Sequence, residues 1–491
     1  MPEHLSYETV IGLEVHVQLG TRSKAFCADD ASFGGAPNTH TSAVSLAHPG
    51  TLPRLNSRAV YYAVKLGLAL DCEINRRSTF DRKNYFYADL PKGFQTTQDK
   101  NPICIGGQLT LDSGRTVRIH HIHLEEDAGK SLHDQDPLDS LIDLNRAGVP
   151  LLEIVTEPDL RSADEVAAFM TEMRRLVRWL DISDGNMEEG SLRCDVNVSV
   201  RKTGEMRLGQ RCEVKNVNSM KFARRAIAFE AARQIDLLEN GGTVQQETRG
   251  FDPADGTTYS LREKEDAHDY RYFPEPDLPP VVIKEDVLED IRSQMPPLPR
   301  SLKELFQNNY DLPANEAELL TQQHDTAFGF LTLIQVAELR SAETGQEIGT
   351  YSKLISNLII NKLKPFAEAE GVETAEVAVH PLHWVELVEM IHDNRISASI
   401  AYQRLVPAMF EKQGTSPVGL ATELNLLQNT DSGFLEKTVE EVLTRFPEKV
   451  SEYRKGKKGL IGFFMGEVMK ASKGKAEPRA ATQLLEEKLK A

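Results

Sequence analysis

YETVIGLEVHVQL, Tyr7 to Leu19, is the stretch on which the reading of the fold turns. Val10, Leu13, Val15, Val17 and Leu19 are apolar, and Glu14, His16 and Gln18 alternate with them. Alternation with period two predicts a strand, in which every second side chain shares a face. Glu14 and His16 then stand side by side, roughly 7 Å apart at the backbone. A carboxylate beside an imidazole suits metal binding or proton transfer. An exposed polar face has the same spacing, so the rest of the chain has to decide between them.

The chain has 491 residues, 40% hydrophobic and 27% charged, enough for two to four globular domains with large cores. It has no run of 18 apolar residues, so no membrane span is expected. MPEHLSYE reads as neither a secretory nor a transit peptide. The cysteines (Cys27, Cys72, Cys104, Cys194 and Cys212) are odd in number and lack any C-x-x-C pair. That argues against a disulfide framework or a cysteine zinc site, and a reducing cytoplasm is the expected compartment. The formal charge of −17 argues against wholesale coating of nucleic acid. The charge is uneven, however. Residues 449–491 hold 11 Lys/Arg against 5 Asp/Glu, a net of +6 that leaves −23 on the rest. A basic tail on an acidic body is a candidate nucleic-acid footprint.

Downstream of the first strand, a Gly/Pro/Asn/Thr-rich loop spans Phe33 to Leu52, and a helix is expected over Ser57 to Leu70. DRKNYFYADLPKGFQTTQ, Asp81 to Gln98, interleaves Arg82, Lys83 and Lys92 with Tyr85, Phe86 and Tyr87; Pro91 and Gly93 predict an irregular loop. Cations pair with phosphate and rings stack on bases, so this composition suits a nucleotide or a nucleic-acid end. RTVRIHHIHLEEDAGKS, Arg115 to Ser131, starts as a strand in which His121 and His123 share a face, joined by Glu126 if the strand continues. Gly129-Lys130-Ser131 is not a phosphate-binding P-loop, because Leu124 stands where the pattern needs glycine.

Glu153 interrupts the apolar run Leu151-Leu152-Ile154-Val155, where a carboxylate is costly unless paired or metal-bound. Ser162-x-x-Glu165 is a capping box opening a helix. SLRCDVNVSVR, Ser191 to Arg201, alternates with Asp195, Asn197 and Ser199 outward, and RCEVKNVNS carries Glu213 and Lys215 on a second polar-faced strand. A long helix is expected from about 220 to 239, ending at Gly241-Gly242. MPPLPR, Met295 to Arg300, marks a linker to a wholly helical region. Near the end, Lys457 and Lys458 precede an apolar helix, and Lys470, Lys473 and Lys475 follow it among glycines, a composition suited to RNA phosphates.

ETVIGLEVHVQL, DRKNYFYADLPKGFQ, HLEEDAGKS, DLNRAGVPLLEIV, MEEGSLRCDVNVSV, DYRYFPEPDLPP and GEVMKASKGKAEP occur in this order over essentially the whole chain. Together they resemble the family of B subunits of the aspartyl/glutamyl-tRNA(Asn/Gln) amidotransferase. The resemblance implies an α+β protein: a cradle with a largely antiparallel sheet and the glutamine synthetase catalytic fold over residues 1–293, a helical domain over 294–408, and a small helical tail domain over 409–491 that binds tRNA. It implies a ligase forming carbon–nitrogen bonds with glutamine as amido donor. ATP phosphorylates the side-chain carboxylate of Glu or Asp misattached to tRNA(Gln) or tRNA(Asn), and ammonia from the glutaminase subunit then displaces the phosphate. A third, small subunit completes the heterotrimer.

The resemblance carries a metal cluster onto Glu14, His16, Glu125 or Glu126, and Glu153, for Mg²⁺ or the softer Mn²⁺. Lys83 and Tyr85 match polar residues along the ammonia path. Lys92, Lys130, Arg193, Lys215 and Arg271 are candidates for phosphate or tRNA-end contacts by charge and motif position. Many members hold zinc with four cysteines in the first loop. This chain keeps only Cys27 there, so no structural zinc is expected and the loop has to be held by packing.

Overall fold

The computed structural model describes residues 7–490 apart from 133–135, 137, 216, 218, 264–269, 345–347, 373, 375–378, 429–431 and 473. The chain parts into two compact units, Met1–Leu298 and Pro299–Ala491.

The first unit is built on a sheet of ten strands among the described residues. From one edge the order is Thr257–Glu263, Glu247–Asp252, Cys212–Lys215, Leu192–Lys202, Tyr7–Gln18, Pro150–Thr156, Thr116–Glu126, Cys104–Ile105 and Glu73–Ile74, with Gln108–Thr110 also paired to Thr116–Glu126. Every pairing is antiparallel except that of Cys212–Lys215 with Glu247–Asp252. The strand read first is thus central. Its odd-numbered residues, Ile11, Leu13, Val15 and Val17, are wholly buried on one face of the sheet. Helices Ser57–Ala69, Ala163–Trp179 and Met220–Glu239 contribute Ala63, Leu66, Phe169, Met173 and Ile227 to the same core. The other face is left to the even-numbered residues.

The cap of the second helix forms as read: the Ser162 hydroxyl accepts from the Glu165 N–H. The return bond runs one residue earlier than in a standard box, from the Arg161 N–H to Glu165. The linker is anchored, since Met295 and Leu298 pack on the core and the Trp179 indole donates to the Pro297 carbonyl at 3.0 Å.

Two readings need correction. Residues 81–98 are not all loop. Asp81–Asn84 pairs antiparallel with Phe94–Thr97, and only the connection between them is irregular. The strand character is hidden because Arg82, a charged residue, is held between the Phe94 and Phe273 rings at 4.2 and 5.6 Å and bonded to Glu275. The first loop is held chiefly by hydrogen bonds rather than by packing. The buried Lys24 ammonium donates to the His40 and Leu144 carbonyls, Asn38 bridges to Ile142, Asp143 and Leu144, and the Asn145 side chain ties His40 to Ala36.

The second unit is helical from Pro299–Tyr310 to Pro478–Lys490. Near its end Leu435, Val439, Phe464, Val468 and Leu485 form a separate apolar cluster around the helix Leu460–Ala471. Among the described residues no helix is long and apolar enough to cross a membrane.

Candidate active site

Strand register assembles the polar face. His16 is paired with Glu153 on one side and Arg193 on the other, and Glu153 in turn with His123. One row away, Glu14 is paired with Val155 and Asp195. One row further, Gly12 is paired with Asn197 and Asn197 with Glu213. Cross-strand neighbours on one face lie about 4.5–5.5 Å apart at Cβ, so residues distant in sequence become a single constellation.

Two groups of potential ligands result. In the first, atoms of His16, Glu125 and Glu153 all lie within 4.8 Å of one another. His16 and His123 each place Nε2 3.3 Å from the same Glu153 oxygen, and His123 is 3.4 Å from Glu125, which also accepts from the Thr97 hydroxyl at 3.2 Å. Burial disfavours charge on His123, but Glu153 and Glu125 outweigh it and push its pKa up to about 10. Burial would raise Glu153, yet His123 and His16 hold it well below the usual carboxylate range.

In the second group, atoms of Glu14, Asp195 and Glu213 lie within 4.8 Å of one another. The Lys215 ammonium bonds Asp195 and Glu213, both at 2.8 Å, and the Asn197 amide donates to Glu14 at 3.0 Å. Burial and the charges of Glu153 and Glu213 raise the pKa of Glu14. Three carboxylates against one ammonium leave this group short of positive charge.

Glu125, and not Glu126, belongs to the constellation. The alternation that puts His121 and His123 on one face includes Glu125, so the expectation that Glu126 joins them fails by one residue. Glu126 instead pairs with Lys92 and accepts from the Thr96 N–H at 2.8 Å. Lys92 is therefore spent on Glu126 and on the Thr96 hydroxyl, beside a cavity of about 260 Å³ that Phe26, Cys27 and Phe94 also line. Lys83 lies within the electrostatic reach of Glu125 and Glu153. Burial would lower it, but these charges hold it raised. Its ammonium sits 5.0 Å from the Tyr270 ring, which meets Tyr85 edge-on at 6.0 Å. Burial likewise raises Tyr85.

Arg193 faces the site, donating to Asp127 at 2.7 Å, and Asp127 also accepts from Gln18 at 2.6 Å. Two candidates stand apart. Lys130 is exposed on a short hairpin opposite Asp143, and Arg271 points outward from a left-handed turn (φ 43°) whose carbonyl accepts from Asn84. In the second unit Lys457 and Lys470 are exposed beside Glu452 and Glu467, Lys458 lies over Tyr453, and Lys475 bonds Asn425. Lys473 lies outside the described residues.

Asp195, Glu213, Asn197 and Asp127 are members that the sequence reading assigned no role, and His123 entered it only as a weak metal signal in register with His121. Period two put Asp195 and Asn197 on a polar face. Only the pairing order of the strands shows that this face is the one carrying Glu14.

Residues 9–289 match the GatB/GatE catalytic domain family and residues 342–489 the GatB domain family. B subunits of aspartyl/glutamyl-tRNA(Asn/Gln) amidotransferases are similar over their whole length. That of Anaeromyxobacter sp. (strain Fw109-5) is 47% identical over 486 residues, 98% of this chain and 99% of that protein. Those of Geotalea daltonii and Persephonella marina are 46% and 43% identical, each covering 99% of this chain and 100% of the relative.

Proposed function

The chain belongs to the family of aspartyl/glutamyl-tRNA(Asn/Gln) amidotransferase B subunits, and from that premise we propose that it activates a side-chain carboxylate with ATP. The substrate is Glu on tRNA(Gln), Asp on tRNA(Asn), or both. Its partners are the glutaminase subunit and the small third subunit, in a cytoplasmic heterotrimer that supplies ammonia from glutamine.

The observation that carries this reading is the pair of ligand groups side by side on one sheet face, with Lys215 and Arg193 among them. A carboxylate is a poor electrophile. Attack of its oxygen on the γ-phosphorus of ATP releases ADP and gives an acyl phosphate. Ammonia then adds at the carbonyl carbon, phosphate leaves, and a proton is lost to give the amide. Phosphoryl transfer asks a protein mainly for positioning and for positive charge. Lys83, Arg193 and Lys215 supply fixed cations that pair with phosphate oxygens or orient the incoming carboxylate.

The donor sets fit divalent cations. Two carboxylates with one imidazole suit Mn²⁺ or Mg²⁺, and three carboxylates suit Mg²⁺. The first ion would be held by His16, Glu125 and Glu153, the second by Glu14, Asp195 and Glu213. When bound, such ions neutralise the charge of the nucleotide. Lys83 and Tyr85 line the polar approach for ammonia, and the glutamine synthetase-like reading of the cradle belongs to this proposal. This reading gives the first loop no structural zinc, and the hydrogen bonds that tie the loop support it.

The test uses the chain assembled with its partners and given Glu-tRNA(Gln), ATP and glutamine. ADP and Gln-tRNA form together, and Glu14→Ala abolishes both while leaving glutamine hydrolysis by the glutaminase partner measurable. Full amidation by Glu14→Ala would refute the reading.

A further inference from the structure

The first loop brings two short arms together. The Ser45 hydroxyl donates to the Asp29 carboxylate, and the Ser42 N–H donates to the same Ser45 oxygen at 2.9 Å. Ser42 and Cys27 hydrogen-bond to Asp29 as well. Burial would raise the pKa of Asp29, but Ser45, Ser42 and Cys27 hold it lowered. The Asp29 carbonyl in turn accepts from the Lys24 N–H at 3.0 Å. The side chains that converge are therefore those of Cys27, Asp29, Ser42 and Ser45, with Asp29 as their hub. One residue separates the first two in sequence, and two residues separate the last two.

That spacing is C-x-C followed by C-x-x-C, the pattern with which many members of the family hold zinc in this loop. The residues present here do not fit the ion. Zinc takes thiolate, imidazole or carboxylate ligands, and a serine hydroxyl is none of these. Sulfur ligates as thiolate, and burial pushes the Cys27 thiol up to about 11, so at neutral pH it keeps its proton. The polarity of the cluster is reversed. A zinc knuckle sets four negative sulfurs around a positive centre, whereas Cys27, Ser42 and Ser45 present hydrogens to a negative one. The cation of this loop is instead the wholly buried Lys24 ammonium, which donates to the His40 and Leu144 carbonyls and lies within electrostatic reach of Cys27 and Asp29.

We propose that the four ligand positions of a metal knuckle persist in this chain as a metal-free clasp, with the Asp29 carboxylate standing in place of the ion. The backbone keeps the knuckle's geometry, so supplying the missing thiols restores a zinc site. The clasp also shapes more than its own loop. Cys27, Val44 and Ser45 line the cavity of about 260 Å³ that Lys92 and Glu126 line too. Fixing the two arms therefore fixes part of that wall.

The full chain tests this with Co²⁺ as a spectroscopic stand-in for zinc. The parent is expected to show no thiolate-to-cobalt charge-transfer absorption. Asp29→Cys combined with Ser42→Cys and Ser45→Cys is expected to show it, saturating at one Co²⁺ per chain and disappearing when Zn²⁺ is added. Of the five cysteines only Cys27 is not buried, so its alkylation reports on the loop alone. Ser45→Ala leaves every charge in place and is expected to speed that alkylation about tenfold, the factor that a hydrogen bond to a charged group is worth. Charge-transfer absorption in the parent would overturn the clasp, because Cys27 would then be holding a metal. A triple variant that folds, by its circular dichroism, yet takes up no thiolate-bound cobalt would overturn it as well. Alkylation of Ser45→Ala at the parent's rate would do the same, whether or not the triple variant folds.

Discussion

Glu125 and Glu126 are neighbouring carboxylates with opposite surroundings. Glu125 meets His123, Thr97 and the His16–Glu153 pair, and Glu126 meets Lys92 and a backbone amide. Glu125→Gln is therefore expected to lose Mn²⁺ binding, measured by titration calorimetry, by more than the ~10–100-fold that removing a supporting partner of a ligand costs. Glu126→Gln should keep that binding within a few-fold, and equal loss in both variants would show that the two roles are not separated. Alternation alone put Glu14 and His16 on one polar face, and an exposed face has the same spacing. Choosing between Glu125 and Glu126 needed only the parity of the strand, whereas Asp195 and Glu213 needed the order in which strands pair. Asp127 could not be read at all, because its partners Gln18, Arg146 and Arg193 come from three separate segments.

At the scale of elements, the sheet is stiffened behind the site by an ion network on helix Met220–Glu239. Glu230 is wholly buried and accepts from Arg233 at 2.6 and 3.0 Å, Gln234 at 2.8 Å and Thr258 at 2.9 Å, with Arg249 at 3.5 Å. Burial would raise its pKa, but these partners lower it below the ordinary 4.5. A depressed carboxylate contributes stability above its unfolded value and loses it as pH falls through the folded one. Glu230→Gln leaves two arginines short of a partner and should cost about 3–5 kcal/mol at pH 7. The gap between variant and parent is expected to narrow below about pH 4.5. Urea unfolding followed through Trp179 in a Trp384→Phe background measures both, and a pH-independent gap would contradict the account. The first loop gives a second prediction at this scale. Its ties run through Lys24, Asn38 and Asn145, so a zinc chelator and Cys27→Ser should each leave the melting temperature unchanged within about 2 °C. The helices were legible because caps and apolar periodicity are local signals. The hairpin around Arg82 was not, because its charged strand residues are stabilised by rings and carboxylates remote in sequence.

At the scale of the whole molecule, an acidic first unit holds the proposed site and the basic end of the second holds the expected tRNA contacts. Cutting the chain at 409 would strip Pro417–Glu423 from its packing on Pro381–His392, so charge reversal is the cleaner probe. Lys457→Glu with Lys458→Glu should weaken tRNA binding, reduce the salt slope by about one for each phosphate no longer neutralised, and leave ATP affinity untouched. Unchanged tRNA affinity across salt would remove the tail from the footprint. The composition of the tail was legible as a charge surplus, but which lysines are engaged by Glu452, Glu467 or Asn425 was not. The central claim is that the cradle transfers a phosphoryl group to the substrate carboxylate. The direct measurement charges tRNA(Gln) with glutamate whose two side-chain carboxylate oxygens are both ¹⁸O, supplies ATP and glutamine to the assembled complex, and weighs the released phosphate. Transfer predicts one ¹⁸O in the phosphate for each Gln-tRNA formed; phosphate without label would contradict it.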